Sequence, residues 1–335
     1  MTRIKTLFVL TILPLTGLVA FVGTSSAADP AARPSALPSM VHPEDNAPTP
    51  EKLALGRQLF VDPRLSGTGT MPCQGCHYHE LGWTDAKVLS PKDNGTLNTR
   101  HTPSLYNVGY QTLWYWDGRA PTLEAQVLAA WKAQINGDPA VVTPIIAAVP
   151  EYAAQFQKVF GGPPTPDTIV KALAAYLRTK VSDHSPWDRY EMGESAAVSA
   201  DAVAGHALFT GKAGCAACHA PPFYGNSTFY NIGLEHGKNS PDVGRFKVTS
   251  NEADRSAFKT PSLRSVTRGA PYFHDGSAAT LEAAVRYMAS GGGADPKKSE
   301  LLVDRKLSDA EIGQLVAFLT ALSSNESWVQ PTIPK

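Results

Sequence analysis

Apolar residues fall at helical intervals in several separate stretches of the chain. Between Glu51 and Phe60, Leu53, Leu55, Leu59 and Phe60 mark one side of a short helix. Val203 to Phe209 ends in the same Leu-Phe pair. From Asp167 to Val181, Ile169, Val170, Leu173, Tyr176 and Leu177 recur at three- and four-residue steps. Near the end, Ser308-Asp309-Ala310-Glu311 is a capping box. It opens a helix through Leu322 with Ile312, Leu315, Val316 and Leu319 on one face. Strand-like alternation is scarce, so the predicted fold is mostly α, with long loops and little strand.

The first residues break this pattern. Arg3 and Lys5 precede an apolar run from Leu7 to Val22, interrupted by Pro14, Thr16 and Gly17, and Ser25-Ser26-Ala27 follows. That order reads as a signal peptide over 1–27. A membrane anchor is the other reading, for which the run is short. No later stretch is long and apolar enough to span a membrane. Residues 28–50, rich in Pro, Ala and Ser, read as a flexible leader. The expected location is the periplasm. Without Arg3 and Lys5, 30 − 2 = 28 basic residues face 30 acidic ones, a charge of −2. Such a chain offers no basic footprint for nucleic acid.

All four cysteines stand in two copies of one motif, Cys73-Gln74-Gly75-Cys76-His77 and Cys215-Ala216-Ala217-Cys218-His219. C-x-x-C-H is the attachment signature of c-type haem. The two thiols add to the vinyl groups and the next imidazole reaches the iron. A zinc site and a redox C-x-x-C are the rivals, and neither needs histidine after both pairs. Two covalently bound haems are therefore expected on Cys73, Cys76, Cys215 and Cys218, with His77 and His219 as iron ligands. Covalent haem attachment takes place outside the bacterial cytoplasm, which agrees with export.

A longer self-match follows each box. Thr102-Pro103-Ser104-Leu105 recurs as Thr260-Pro261-Ser262-Leu263, Asp117-Gly118 as Asp275-Gly276, and Thr122-Leu123-Glu124-Ala125 as Thr280-Leu281-Glu282-Ala283. All three keep one offset, 260 − 102 = 158. Matches in register imply a duplicated mono-haem domain. The expected halves are 51–190 and 191–335, joined by a linker over Tyr190–Ser199.

The register makes the halves unequal where it matters for an iron. Met288 follows the second match, and 288 − 158 = 130 is Ala130. A methionine opposite histidine fills the sixth iron position and favours electron transfer, while alanine cannot ligate. Met288 is thus either a sixth ligand or a core methionine. His79 stands two residues past His77, too near to reach round the ring, and reads as a propionate-facing or surface histidine. His101, in a His-Thr-Pro turn, is either a distal ligand of the first iron or a residue that positions backbone. Trp116 aligns with His274; it either relays electrons between two haems or packs. Gln126 aligns with Ala284 and is either a distal polar group or a surface glutamine. Arg100, Arg119 and Arg245 suit bidentate pairing with propionates.

Taken with Trp116-Asp117-Gly118-Arg119, Leu123-Glu124-Ala125-Gln126, Phe258-Lys259-Thr260-Pro261-Ser262-Leu263 and Pro271-Tyr272-Phe273-His274-Asp275-Gly276, the boxes give a close resemblance. Over roughly residues 50 to 325 the chain resembles the bacterial di-haem cytochrome c peroxidases and the MauG-type di-haem enzymes. The resemblance implies a peroxidatic haem in the first half and an electron-transfer haem in the second. It implies electrons from a small c-type cytochrome or cupredoxin, methionine ligation at Met288, an inter-haem tryptophan at Trp116 and a distal glutamine at Gln126. The pattern is broken in three places. No histidine stands in Asp93-Asn94-Gly95, where family members that need reductive activation carry one. His101 replaces an asparagine that helps bind an interdomain calcium, to which carbonyls of Gly269 and Pro271 could still contribute. Asn136 falls near the family's distal acid.

Three functions compete on these residues. The leading one is reduction of hydrogen peroxide to water, with His77 on the reacting iron, Gln126 orienting peroxide, and His219 and Met288 on the electron-receiving iron. The second is oxidation of a protein or small organic substrate, which the absent acid favours. The third is electron carriage without catalysis, against which Ala130 argues, because carriers usually saturate both irons. A homodimer is left open.

Overall fold

The computed structural model describes residues 36–335, so the expected signal peptide lies outside the described residues. Most regular structure is helical: α1 (Pro50–Phe60), α2 (Leu123–Ala133), α3 (Pro139–Ala147), α4 (Pro150–Phe160), α5 (Pro166–Leu177), α6 (Pro186–Glu191), α7 (Ala200–Thr210), α8 (Phe246–Thr249), α9 (Leu281–Ala289) and α10 (Asp309–Ala321). Among the described residues the one sheet pairs β1 (Phe229–Tyr230) with β2 (Phe258–Lys259) antiparallel, Phe229 opposite Lys259. None of the described helices is long and apolar enough to cross a membrane.

The helix starts follow local chemistry. Thr49, Thr122, Thr280 and Ser308 each accept a backbone N–H with the side-chain oxygen at their helix N-caps. Ser308 and Glu311 complete the capping box read from the sequence.

Two apolar clusters form the core, one drawn from residues 55–177 and one from 187–322. Each is built on a close helix crossing. A Cβ on Gly56 of α1 would stand 2.0 Å from the carbonyl oxygen of Ala172 in α5. A Cβ on Gly205 of α7 would stand 1.9 Å from that of Gln314 in α10. Neither crossing admits a side chain, which is why glycine occupies both positions.

The 158-residue register reappears in space. His101 donates its N–H to the carbonyl of His274 at 2.7 Å, and the equivalent Lys259 donates to the carbonyl of Trp116 at 2.8 Å. The two repeats thus clasp each other by a reciprocal pair of bonds, as a pseudo-two-fold relation requires. Ser104 and Ser262 likewise bond Gly82 and Phe223 carbonyls at 2.6 and 2.7 Å.

Two boundaries differ from expectation. The flexible-leader reading fails for the second part of 28–50. Leu37 is buried, and the fully buried Asn46 donates to Glu124 Oε1 at 2.9 Å and accepts from Lys52 Nζ at 3.1 Å. Scattered single contacts hold this segment, among them the Tyr110 hydroxyl donating to the Pro38 carbonyl at 3.0 Å, and such contacts leave no mark on composition. At the other end, the tail after α10 leaves the second cluster and lies on the first. Trp328 and Ile333 pack against the first cluster, while Gln58 and Arg64 donate to the carbonyls of Thr332 and Pro334.

Candidate functional site

Each C-x-x-C-H opens with a single 3₁₀ turn, Cys73–Gly75 after α1 and a further turn at Pro63–Leu65, and Cys215–Ala217 after α7. These turns set the thiols and histidines on the walls of two cavities. Cys73, Cys76 and His77 line a cavity of about 690 Å³ in the first half. Cys215, Cys218 and His219 line one of about 230 Å³ in the second. The Nδ1 atoms of His77 and His219 lie 2.7 and 2.9 Å from the carbonyls of Trp83 and Tyr224. Nδ1–H is thereby the donor, and Nε2 is left free to face a metal. Burial lowers the pKa of both imidazoles and keeps them neutral.

The thiols behave differently from those of a redox C-x-x-C, whose attacking sulfur is held as thiolate by a lowered pKa. Burial pushes Cys73 up to about 12, and Cys76 and Cys215 up to about 11. Four free thiols, two neutral imidazoles and two apolar-walled cavities fit a pair of c-type haems.

The sixth-ligand position separates the cavities as the register implied. Met288, on α9, lines the second cavity together with His219. Its neighbour Tyr287 turns away and donates to the carbonyl of Ile232 at 2.9 Å. Ala130, at the equivalent place on α2, lines the first cavity with His77, and Gln126 lies one turn earlier on the same wall. Glu124 ties α2 down by accepting from Arg178 at 2.7 and 3.0 Å.

Trp116 lines both cavities. Its Nε1 donates to the carbonyl of His101 at 2.9 Å. The residue before it, Tyr115, has φ +67°, and Phe273 before His274 has φ +71°. Bulky residues seldom adopt this left-handed conformation, so both positions carry strain that the surrounding fold overrides. His274 stacks on Phe258 with centroids 3.5 Å apart and bonds Glu235 through Nε2 at 2.7 Å.

The three arginines meet at one residue, Asp117, two on its carboxylate and one on its backbone carbonyl. Arg100 Nη1 lies 2.7 Å from Asp117 Oδ2, Arg119 Nη1 lies 3.0 and 2.9 Å from its two oxygens, and Arg245 Nη1 donates to the Asp117 carbonyl at 3.2 Å. Arg100 also holds Asp242 in a fork at 2.6 and 2.9 Å. Arg100 and Arg119 line the first cavity, whereas Arg245 is absent from the lining of both. Asp117 is therefore the organiser that the arginine reading passed over.

Two other residues sit elsewhere than expected. His79 lines neither of these two cavities and is buried between Trp83 and Trp328. Asn136 is exposed at φ +51° and lies outside the first cavity, whose wall takes Gln134 and Ile135 instead. Gln134 Oε1 is buried without a protein partner. Lys259, unremarked as a site residue in the sequence, lines both cavities, and burial pushes its pKa down to about 7. Its register with His101 was the available signal.

The chain belongs to the di-haem cytochrome c peroxidase family, whose model matches residues 50–196. It is 38% identical over 351 residues to cytochrome-c peroxidase IdrP1 of Pseudomonas sp., covering 94% of this chain and 93% of that protein. It is 40% identical over 307 residues to methylamine utilization protein MauG of Methylorubrum extorquens, covering 90% and 85%. Among solved structures it is similar to a MauG-like protein associated with microbial copper homeostasis, with a TM-score of 0.79, 32% identity and coverage of 87% and 95%. This protein is accordingly an oxidoreductase of the cytochrome-c peroxidase type that uses haem cofactors.

Proposed function

We propose that this chain is an exported di-haem peroxidase that reduces hydrogen peroxide to water with electrons from a small redox protein. Each haem is held covalently, one on Cys73 and Cys76 and one on Cys215 and Cys218, with His77 and His219 as iron ligands. The observation that carries the reading is the exchange of Ala130 for Met288 at one position of two equivalent cavities.

Haem in the first cavity supplies the iron at which peroxide is reduced. Ala130 would leave room for a substrate in that cavity, and Gln126 would offer an amide to orient it. Met288 would hold the second haem together with His219, and thioether ligation would suit that haem to receiving electrons. Trp116, shared by both cavities, joins the two. Two haem domains meeting at about residue 190 are supported by the two core clusters, which part between Leu177 and Trp187, with the tail reaching back to the first.

A second reading, oxidation of a protein or organic substrate, is favoured by one feature. Asp117 is the one carboxylate on the first cavity wall, and two arginines hold it. Gln126 and Gln134, on either side of Ala130 in sequence, cannot act as general acids, whose help is typically worth about 10²–10⁴ in rate, which leaves that role to His101 or Lys259 elsewhere on the wall.

Stopped-flow spectra of the holoprotein mixed with peroxide, with and without a reduced donor, test the reading. Rapid spectral change followed by donor oxidation supports it, and Gln126→Ala should slow the peroxide step on the order of 10²-fold. A spectrum indifferent to peroxide overturns it.

A further inference from the structure

The proximal side of the first cavity carries an aromatic path that leads away from the second. The Trp83 carbonyl holds His77 Nδ1 at 2.7 Å, and its indole is fully buried. Trp328, on the tail, meets Trp83 edge to face with centroids 5.6 Å apart and is half-buried. Trp83 Nε1 donates to Glu326 Oε1 at 2.9 Å, and Trp328 Nε1 donates to the Tyr176 hydroxyl at 3.0 Å. Apolar packing alone does not require a tryptophan at both places, nor a carboxylate on the first.

We propose that Trp83 and Trp328 form a relay carrying an oxidising equivalent from the first haem to the surface of the C-terminal strap, where small aromatic one-electron donors are oxidised. It rests on the peroxidase reading above, which supplies the oxidant. One electron passes from the Trp83 indole to the peroxide-oxidised haem, and the Nε1 proton moves to Glu326. An electron from Trp328 then refills Trp83 as the proton returns from Glu326. A phenol at the surface reduces Trp328, becoming a phenoxyl radical and releasing its proton to water. Two such passages use two phenols and one hydrogen peroxide and give two phenoxyl radicals and two waters.

Charge around Trp83 explains why the carboxylate is needed. Lys180 Nζ lies 4.2 Å from the Trp83 ring and 4.0 Å from that of Tyr176. An ammonium there opposes a second positive charge on the indole, so electron loss must be coupled to loss of the N–H proton. Arg57, 6.0 Å from the Trp328 ring, His79, stacked on Trp328 at 6.1 Å with Nε2 3.7 Å from Glu326 Oε1, and Arg268, which donates to the His79 carbonyl at 3.1 Å, are other basic groups along the path. Glu326 is 29% exposed and communicates with solvent. The path gives a point of electron uptake separate from the haem at His219.

The test treats donor-free holoprotein with peroxide in the presence of a nitroso spin trap, then maps adducts by peptide mass spectrometry while haem spectra are followed. The expected result is an adduct on Trp328 that falls at least about tenfold in Trp83→Phe. Because Trp83 is buried, Trp328→Phe provides a second variant at a half-buried position. It should keep the haem's response to peroxide, lose guaiacol oxidation by about tenfold, and be rescued by Trp328→Tyr. Haem that reacts with no adduct on Trp328, or an adduct undiminished by Trp83→Phe, overturns the relay alone. Haem that does not react with peroxide overturns the peroxidase reading and the relay with it.

Discussion

Trp116 and His274 occupy the same position in the two repeats, 274 − 116 = 158 residues apart, and their rings meet at 6.4 Å between centroids with planes 67° apart. The duplication therefore places its own equivalent residues against each other at the junction of the cavities. One copy is an indole that lines both cavities; the other is an imidazole fixed by Glu235. Trp116→Phe keeps the ring contact and removes the hydrogen bond to His101. It should lower stability by about 1 kcal/mol while slowing reoxidation of the second haem by peroxide. Stopped-flow absorbance of the pre-reduced protein reads the second effect, and an unchanged rate would assign Trp116 to packing.

Met288→His should lower the potential of the second haem, because imidazole stabilises ferric iron more than thioether does. Spectroelectrochemical titration measures it. The first haem's potential should move little, since Met288 lines only the second cavity. An unaltered second potential would make Met288 a packing residue.

Asp188 and Arg264 form a buried fork with two contacts of 2.8 Å and side chains 0% and 1% exposed. Burial pulls the carboxyl's pKa upward, but the hydrogen bonds and charge of Arg264 outweigh it and hold Asp188 below its ordinary range. A depressed folded value means the pair's contribution is complete above the unfolded pKa of about 4 and is lost as pH falls through the folded one. Asp188→Ala should cost on the order of 3–5 kcal/mol at neutral pH, because it strands a buried guanidinium. Denaturant midpoints should show the gap between wild type and variant narrowing in acid; a gap independent of pH contradicts the assignment.

Much of this was legible in the residues. The two boxes, the 158-residue offset and the Ala130–Met288 exchange are patterns within one chain, and they led to both cavities. Other features depend on chain crossings that carry no periodic signal. Nothing local to Asp117 says that Arg100, Arg119 and Arg245 converge on it, because Arg245 arrives from 128 residues away. Glu326 and Trp328 look like tail residues until the chain folds back over 240 residues to Trp83. The family resemblance sets Asn136 near a distal acid, but the backbone turns to φ +51° there and Gln134 and Ile135 stand on the cavity wall instead. The leader reading failed at Asn46 for the same reason, since its partners Glu124 and Lys171 are distant in sequence.

The central claim is that two equivalent haem sites have been made unequal by one side chain, Ala130 in the first and Met288 in the second. Electron paramagnetic resonance of the fully oxidised holoprotein tests it most directly. The account predicts one high-spin and one low-spin ferric signal in equal amount, with cyanide converting the high-spin one before any reduction. Two low-spin signals, with cyanide binding only after half-reduction, would contradict it and show that a side chain such as His101 closes the first site.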